Sequence, residues 1–438
     1  MTIPAKIPYL IIGAGVHGLS TAWHLALALR ARGQRGSDVL VIDKTGPGAG
    51  SSGIACGVVH DGYYQPAMGE IMRLSVGVWE SDPAAFAYHG VGYLMAVAAK
   101  HAPNLAAIHQ RQCTSGYPST LIQGETEVRQ YMQNIFPDWQ AQGLTAVLHE
   151  HRGGFAYNRE TMQGLARKAM AAGAAICNNV TVTGFAQSNG TVTAVYTNQG
   201  TIEAQQIIIA VGPWIKNMWA MLGLPPEIPV KTSDGLPRTL PTWSFWRRQE
   251  GTINIDPRDL VAANGQPPPV IHVDSTTPLI SDASNTIITD RQWGIYFKQS
   301  KAGLQGGAVP QHIGPNARID PYGPDGGYYV VDEQFIDYWT AGLAHCLTRF
   351  EGCYTKYKRV DTGGLACFTI DNFPIFDYVL PNVYVIADSG HGYKMIGVGQ
   401  EVARVLLGET SSILHPFRYS RYQSGELHPV SSSPFPWL

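Results

Sequence analysis

Two short segments near opposite ends of the chain carry residue types that could do chemistry. Residues 13–18 space their glycines as Gly-x-Gly-x-x-Gly, and residues 388–394 place His391 and Lys394 in a glycine-rich loop. A glycine turn of this spacing lets backbone N–H groups approach a pyrophosphate, and the N-terminus of the helix that follows is electropositive. A lysine that follows Gly-His-Gly and a buried strand at 383–387 indicates a site more strongly than a surface lysine does. We expect the two segments to meet in one site.

The elements around the first segment predict a dinucleotide-binding unit. An apolar strand at 8–12 precedes the glycines, a helix over 19–32 follows them, and a second strand at 39–42 ends at Asp43. The three glycines serve, in order, the tight turn, the approach of the pyrophosphate and the packing of helix on strand. A carboxylate at the end of the second strand binds a ribose hydroxyl and repels a 2′-phosphate. The predicted contacts are Gly13, Gly15, Val16, His17, Gly18, Asp43 and Lys44.

The composition is that of a soluble globular protein of two or three domains. The chain has 438 residues, of which 45% are hydrophobic and 15% charged, with a net charge of −2. The absence of a basic stripe argues against nucleic acid and membrane surfaces as partners. The apolar runs have the length of strands, and the dinucleotide motif leaves no room for a signal peptide before it. Six cysteines without a CxxC pair argue against zinc and predict reduced thiols in the cytoplasm.

The pattern of elements predicts an α/β fold of two interleaved domains. A hydrophobic strand at 201–209 runs into Ala210, Gly212 and Trp214, which indicates a return to the dinucleotide-binding sheet. Residues from 235 to 300 alternate in the manner of an antiparallel sheet, and the tail is expected to wrap the surface. We predict a Rossmann-type cofactor domain from 1–80, 151–235 and 360–410, an α+β substrate domain from 81–150 and 236–359, and a C-terminal tail at 411–438.

From residue 9 to about 408 the chain resembles the D-amino acid oxidase/glycine oxidase/sarcosine oxidase family of FAD enzymes, in particular its sarcosine-oxidase-like branch. The resemblance implies a flavin ring at the interface of two domains. It also implies oxidation of a C–N bond by hydride transfer to the flavin, giving an imine that water hydrolyses, with the electrons passing to O2 to give H2O2. Five features carry it: the glycine motif with Asp43, the loop 50–59, the block 153–214, Gly364-Leu365 with Thr369-x-Asp371-x-x-Pro374, and Ser389–Lys394.

The resemblance implies roles for individual residues. Ser51 and Ser52 match the family's loop at the pyrophosphate and flavin, and the backbone of Val180 matches the residue that meets the adenine. The predicted FAD contacts, beyond those of the dinucleotide unit, are Ser51, Ser52, Cys56, Gly57, Val180, Ala210, Gly212, Trp214, Gly364, Gly390, Gly392, Tyr393 and Lys394. The predicted catalytic residues are Lys394, which would bind the substrate carboxylate, with Tyr296, His391, Tyr64 and His60.

The chain departs from the family pattern at three places. Ala366 stands where related oxidases carry an arginine that grips the substrate carboxylate, so the expected anchor is reduced to Lys394. Gln305 matches the lysine by which sarcosine oxidases activate oxygen, although Lys298 and Lys301 are close by. Cys367 lies three residues from the position at which monomeric sarcosine oxidases bind FAD covalently, so we expect non-covalent FAD, with a link through Cys367 as the alternative.

Several functions stay open at this point. The leading hypothesis is an oxidase of an N-substituted amino acid or related secondary amine, held against the faces of Tyr63, Tyr64 and Tyr296. A second is a 2-hydroxy acid oxidase or dehydrogenase of the same superfamily, with His60 as the general base. A third is a flavin subunit that passes electrons to a protein partner. A nicotinamide dehydrogenase would explain the N-terminal motif but not the C-terminal loop.

Overall fold

The computed structural model describes residues 3–232, 234–256, 260–358 and 363–438. The predicted domain boundary between residues 359 and 360 falls outside these ranges. Within them, none of the helices combines the length and the apolar character needed to cross a membrane. Two large sheets organise the chain, and the strands of each come from separate stretches of sequence.

Runs of valine and isoleucine form the centre of the first sheet. Its strand Lys6–Ile12 is parallel to Gly200–Ile209 on one side and to Val39–Ile42 on the other. Val39–Ile42 and the C-terminal ends of the other two strands, residues 10–12 and 207–209, are buried and continuously apolar, as is typical of parallel strands between layers of other elements. The other strands are Ala175–Cys177, Val182–Ser188, Thr191–Thr197, Ile375–Leu380 and Val383–Ala387.

Three helices pack together beside the first sheet. Val16–Ala31 lies against Asn158–Ala172 and Val398–Leu406. Val16–Ala31 and Val398–Leu406 can approach closely because Gly399 has no side chain. A Cβ atom at this position would lie only 2.5 Å from the Ser20 hydroxyl oxygen. The first helix begins three residues before the predicted 19–32, since Gly15 is its N-cap and the turn after Ile12 is correspondingly short.

The second sheet joins two separate stretches of the chain. Its strands are, in order, Tyr357–Lys358, Glu250–Ile253, Gly303–Ala308, Trp293–Ser300, Val270–Ser275, Tyr93–Ala98, Leu144–Glu150 and Ser119–Gln123. All neighbours are antiparallel except Val270–Ser275 and Tyr93–Ala98, which are parallel. This one parallel pair differs from the predicted antiparallel sheet, and it is where the two stretches meet. Helix Glu333–Cys346 packs on this sheet through a buried apolar cluster.

A smaller sheet connects the two large ones. Its central strand Ser244–Arg248 pairs with Gly364–Phe368 and with Gln311–Gly314. The remaining strands are Val58–Val59, Tyr88–His89, Gly154–Ala156, Glu227–Lys231, Pro237–Pro241, Leu279–Ile280 and Ile287–Thr289. The remaining α-helices are Pro66–Ser81, Pro83–Phe86, Ala102–Thr114, Glu125–Ile135, Ile215–Met221 and Arg421–Ser424.

The weak periodicity after residue 410 predicts a tail that wraps the surface. In the structure, parts of this tail are instead buried. Arg421 is fully buried and donates to both carboxylate oxygens of Asp371 at 2.9 Å. Phe435, Trp437 and Leu438 are 1%, 5% and 2% exposed. The prediction fails because sparse aromatic anchors, rather than a periodic face, hold this segment in place.

Candidate active site

Two adjoining cavities lie where the sheets meet. The larger, of about 610 Å³, is lined by the glycine turn and the ends of the first sheet's strands, and we call it the cofactor cavity. The smaller, of about 110 Å³, reaches towards the second sheet and is the substrate cavity. Five residues line both cavities: Ser51, Ser52, Pro213, Tyr322 and Asp388. One elongated ligand can therefore extend from the first cavity into the second.

The glycine turn adopts a conformation that side chains would obstruct. Gly13 has a φ of +108°, which favours glycine, and a Cβ atom there would lie 2.4 Å from the Ala210 carbonyl oxygen. A Cβ atom at Gly18 would lie 1.9 Å from the Gly13 carbonyl oxygen. Gly18 thus packs the helix onto the turn, while Gly15 lines the cofactor cavity beside the Ser52 hydroxyl.

The polar groups of the cofactor cavity fit the FAD that the sequence implies. Asp43 accepts the Ala14 N–H at 2.8 Å and those of Thr45 and Gly46 at 2.8 Å, so its carboxylate is fixed at the strand end. Oδ2 accepts only the Ala14 N–H and can accept a further bond, whereas Oδ1 already accepts two. The ring nitrogens of buried His17 have no hydrogen-bond partner among the described residues, although the ring lines this cavity. Such a ring suits a ligand rich in polar groups.

The loop at 320–325, which contains none of the predicted site residues, also lines the cofactor cavity. Asp320 accepts from Lys44 Nζ at 2.6 Å and from Trp214 Nε1 at 3.0 Å. The Lys44 ammonium also lies 4.0 Å from the centre of a Trp214 ring. Tyr322 lies 2.7 Å from the Ser51 hydroxyl, oxygen to oxygen. We call Lys44, Trp214, Asp320 and Tyr322 the clasp.

The predicted FAD contacts converge on the two cavities. All of them line one cavity or the other except Gly18, which lies beneath the turn. Val180, Ala210, Gly212 and Trp214 line the cofactor cavity with the dinucleotide unit. Those at the substrate cavity are Cys56, Gly57, Gly364, Gly390, Gly392, Tyr393 and Lys394. Their contacts with FAD stay a prediction.

Lys394 and His60 both line the substrate cavity and contact each other. Lys394 Nζ lies 3.1 Å from His60 Nε2. Burial and the nearby Arg248 cation lower the pKa of Lys394 to about 7. Burial and the Lys394 cation hold the pKa of His60 well below its ordinary value, so the neutral ring accepts from lysine. The His60 ring is stacked between Tyr63 and Tyr93, whose centroids lie 5.0 Å and 4.0 Å away.

Arg248 is a second cation at this cavity, and sequence analysis misses it. It donates to the Gly390 carbonyl at 2.6 Å. Burial opposes its charge, but Tyr296 and Glu250 hold the pKa of Arg248 above its ordinary value. Burial raises the pKa of Glu250 to about 7, opposed by the Arg248 cation. Glu250 accepts from the Tyr296 hydroxyl at 3.2 Å, which places the predicted Tyr296 in the same cluster.

A chain of hydrogen bonds leads from the substrate cavity into the second sheet. The Tyr93 hydroxyl lies 2.7 Å from His272 Nδ1, and His272 Nε2 lies 2.7 Å from Asp274 Oδ1. Tyr93 and His272 line the cavity, while Asp274 is completely buried. A carboxylate only accepts hydrogen bonds, so Nε2 carries the hydrogen and Nδ1 accepts from tyrosine. We call this chain the relay; sequence analysis misses all three residues.

The other predicted catalytic residues differ in their positions. His391 lines the substrate cavity, but its nitrogens face the Asp388 carbonyl at 2.9 Å and the Trp437 carbonyl at 3.1 Å. Burial lowers the pKa of His391 to about 3, so the neutral ring donates to one of these backbone oxygens. Tyr64 lies outside both cavities, and its ring faces His101 with a centroid separation of 6.2 Å. Tyr64 is therefore not brought to the site.

The lysines near Gln305 also take different positions. Lys298 is 3% exposed and donates to the Gln305 side-chain oxygen at 3.0 Å. Burial lowers the pKa of Lys298, opposed by Cys56 and Glu250. Lys301 instead forms an exposed ion pair with Glu160. Lys298 thus places a buried cation next to the position at which the sequence lacks one.

Tertiary placement explains why the missed residues have no strong sequence signal. Arg248 follows the Trp-rich segment at 243–246 in a strand, where its neighbour Arg247 pairs with Asp332 at 2.7 Å. Alternation of side chains along the strand separates the two arginines, but the sequence does not show which faces the cavity. His272 and Asp274 stand two residues apart on one strand, a weak signal for a shared face.

Comparison with known proteins agrees with this geometry. Residues 9–405 match the model of the DAO family, described as FAD-dependent oxidoreductases. The chain is 21% identical to the sarcosine oxidase subunit beta of Arthrobacter sp. over 429 residues, which cover 95% of this chain and 91% of the relative.

Solved structures share the fold over nearly the whole chain. L-proline dehydrogenase from P. horikoshii superimposes with a TM-score of 0.73 and 21% identity, covering 97% of this chain and all of the other. Glycine oxidase from Bacillus cereus gives a TM-score of 0.63 and 16% identity, covering 94% and 98%. The fold is thus a known architecture, and the chain belongs to the DAO family of FAD-dependent oxidoreductases.

Proposed function

We propose that the chain oxidises the C–N bond of an N-substituted amino acid or a related secondary amine. Bound FAD supplies the hydride acceptor, and the imine formed is hydrolysed by water. The chain's own residues then have three tasks: to hold the carboxylate, to remove a proton from the amine and to keep the C–H bond facing the flavin. Each task has residues in the substrate cavity that suit it.

The observation that carries the proposal is the pair of cations, Arg248 and Lys394, at one small cavity. Their mutual repulsion contributes to the low pKa of Lys394, and burial makes it stronger than it would be in water. A substrate carboxylate between them would relieve the repulsion and accept charge-assisted hydrogen bonds. The anchor therefore has two members rather than Lys394 alone, which compensates for Ala366.

The relay suits the amine end of the substrate. Oxidation of an amine by hydride transfer needs the unprotonated nitrogen, whereas amino acids carry an ammonium group at neutral pH. We propose that the ammonium proton passes to the Tyr93 oxygen while the tyrosine hydrogen passes to His272 Nδ1. Buried Asp274 stabilises the imidazolium formed, as the aspartate does in a Ser-His-Asp triad.

Two further properties belong to the proposal. The FAD is held non-covalently, because burial raises the pKa of Cys56 to about 12 and that of Cys367 well above its ordinary value, which keeps both thiols protonated. Yellow colour that stays with acid-precipitated protein would contradict this. The electrons pass to O2, with Lys298 as the supporting cation. Rapid reduction by substrate with very slow reoxidation in air would favour a protein partner instead.

The proposal is tested with purified holoenzyme under anaerobic conditions. N-alkyl amino acids and cyclic secondary amino acids should bleach the flavin absorbance at about 450 nm. Bleaching by 2-hydroxy acids alone would support the alternative reaction. That alternative is disfavoured because His60, its base, already accepts from Lys394 and is stacked between two tyrosines.

A pair of neighbouring variants tests the carboxylate anchor. Arg248→Gln should weaken the binding of amino acid substrate about 100-fold, since a charge-assisted bond in a buried site contributes roughly 2–3 kcal/mol. Arg247→Gln is the matched control, because Arg247 pairs with Asp332 outside the cavity and should leave substrate binding unchanged. Equal losses in the two variants would contradict the assignment. Binding is measured from the substrate dependence of the reduction rate.

A further inference from the structure

The segment 433–438 forms a wall of the substrate cavity. Phe435, Trp437 and Leu438 all line it, beside Arg248 and Lys394. None of the three is more than 5% exposed. The neighbouring Val430, only a few residues earlier, is 84% exposed. The segment thus passes from the surface into the site over a very short length of chain, and we call it the wall segment.

Two hydrogen bonds tie the wall segment to the site. The Ser433 hydroxyl donates to Asp274 Oδ2 at 2.8 Å, and it accepts the Phe435 N–H at 3.0 Å. The Trp437 carbonyl faces His391 Nε2 at 3.1 Å. Asp274 belongs to the relay, and His391 stands in the loop that carries Lys394. The wall segment is therefore fixed to both ends of the proposed substrate site.

The rings of the wall segment face the two parts of that site. The Phe435 ring centre lies 4.9 Å from that of His272 and 6.0 Å from that of Tyr296. The Arg248 guanidinium lies 4.9 Å from the centre of a Trp437 ring, a cation–π contact. Trp437 thus covers the carboxylate anchor, and Phe435 covers the amine side.

We propose that Phe435 and Trp437 set the substrate range of the enzyme by limiting the size of the group that the cavity admits. This inference rests on the proposed function for the identity of the substrate. The physical reason is that much of the remaining lining stands on strands, at Tyr93, Arg248, His272, Tyr296 and 364–367, which cannot yield without losing backbone hydrogen bonds. The wall segment is held by two polar contacts and aromatic packing. A substitution can therefore remove one of its rings and enlarge the cavity without breaking the pairing of the strands.

A series of N-alkyl glycines tests the proposal. Wild-type protein and Trp437→Ala, Trp437→Phe and Phe435→Ala variants are compared on N-methyl, N-propyl and N-benzyl glycine. The ratio of kcat/KM for the benzyl to the methyl substrate should rise at least about tenfold in Phe435→Ala, since the benzyl group can then be buried where the phenyl ring stood. Trp437→Ala should raise kcat/KM for N-methyl phenylalanine relative to N-methyl glycine, because Trp437 covers the carboxylate anchor, and Trp437→Phe should retain most of the selectivity. Val430→Ala is the matched control.

The outcomes separate the two proposals. Unchanged selectivity in folded, FAD-loaded Phe435→Ala and Trp437→Ala would overturn the inference and leave the amine oxidation standing. If the wild type reacts with no amine, the proposed function fails. Hydrogen exchange of the FAD-loaded wild type then tests whether the wall segment is a fixed part of the cavity. Amides of residues 435–438 should exchange at least about tenfold more slowly than those around Val430. Equal exchange would overturn the inference.

Discussion

The two cavities of this protein are built from different materials. The cofactor cavity is organised by a glycine turn, a helix N-terminus and the carboxylates that follow two strands, Asp43 and Asp388, with the clasp along one side. The substrate cavity consists of large side chains, several of them charged, brought together from the second sheet, the connecting sheet, the C-terminal loop and the wall segment. Backbone geometry is set by neighbours in sequence, whereas the charges of the substrate cavity become neighbours only on folding.

The difference has an energetic consequence. The polar contacts of Asp43 and Ser52 in the cofactor cavity are separate bonds from backbone N–H groups, so these two residues act nearly independently. In the substrate cavity, burial and the Arg248 cation lower the pKa of Lys394, and burial and the Lys394 cation lower that of His60. Burial raises the pKa of Glu250, and the Arg248 cation opposes this rise. One substitution there changes the protonation of several groups. Substitutions in the first cavity should therefore change occupancy by FAD, and those in the second should change pH profiles.

The largest effect is expected at the glycine turn. Gly13→Ala should abolish retention of FAD, with at least about a 100-fold loss of affinity, because the new methyl group would overlap the Ala210 carbonyl. Gly33→Ala is the control, since Gly33 also has a positive φ of +73° but a Cβ atom there meets nothing within 4 Å. The measurement is flavin per protein after gel filtration. Retention of flavin by the Gly13 variant would contradict the backbone role of this cavity.

The next effect concerns the relay. Asp274→Asn should lower kcat/KM roughly 100-fold, in the range known for loss of general acid–base catalysis. The loss should fall on kcat more than on KM, because Asp274 acts through His272 and does not line the cavity. A Ser433→Ala variant removes only the hydroxyl bond to Asp274 and should cost far less. Equal losses in the two variants would indicate a merely structural role.

A smaller effect is expected in the pH dependence of anion binding. The pKa of Lys394 is lowered to about 7, so its ammonium is present below pH 7 and is lost as the pH rises through that value. Affinity for a carboxylate inhibitor such as acetate should therefore fall about tenfold between pH 6 and 8. Lys394→Met should bind weakly and with a flatter profile. Glu250, with a pKa of about 7, gains its negative charge in the same window, so Glu250→Gln should flatten the profile in part.

The smallest effect is expected at the clasp. Asp320→Asn weakens the ion pair with Lys44, whose members are 37% and 53% exposed, so FAD release should become only about two- to fivefold faster. Glu203→Gln, which breaks the exposed pair with Lys6, is the control. Dissociation is followed by the recovery of flavin fluorescence. A change as large as that at Gly13 would mean that the clasp, rather than the turn, holds the cofactor.

Local sequence was sufficient for the first sheet and its ligand. The strand at 383–387, the helix over 159–172 and the motif with Asp43 could be predicted because each depends on residues close in the chain. A dinucleotide ligand followed from the same short-range features, whereas FAD in particular was implied by the family resemblance. Tyr64 was misplaced for the opposite reason: adjacent residues point in different directions, and Tyr63, not Tyr64, stacks on His60.

By itself the sequence determined the dinucleotide unit and the α/β class, because glycine spacing and apolar periodicity act over a few residues, and its motifs carried the resemblance to the family. Only the tertiary structure decided that Arg248 faces the substrate cavity and Arg247 does not, and that Tyr93 reaches His272 across 179 positions. It also decided that Phe435 and Trp437 return to the site. These contacts depend on strand pairing and on sparse anchors, and neither leaves a periodic pattern in a single chain.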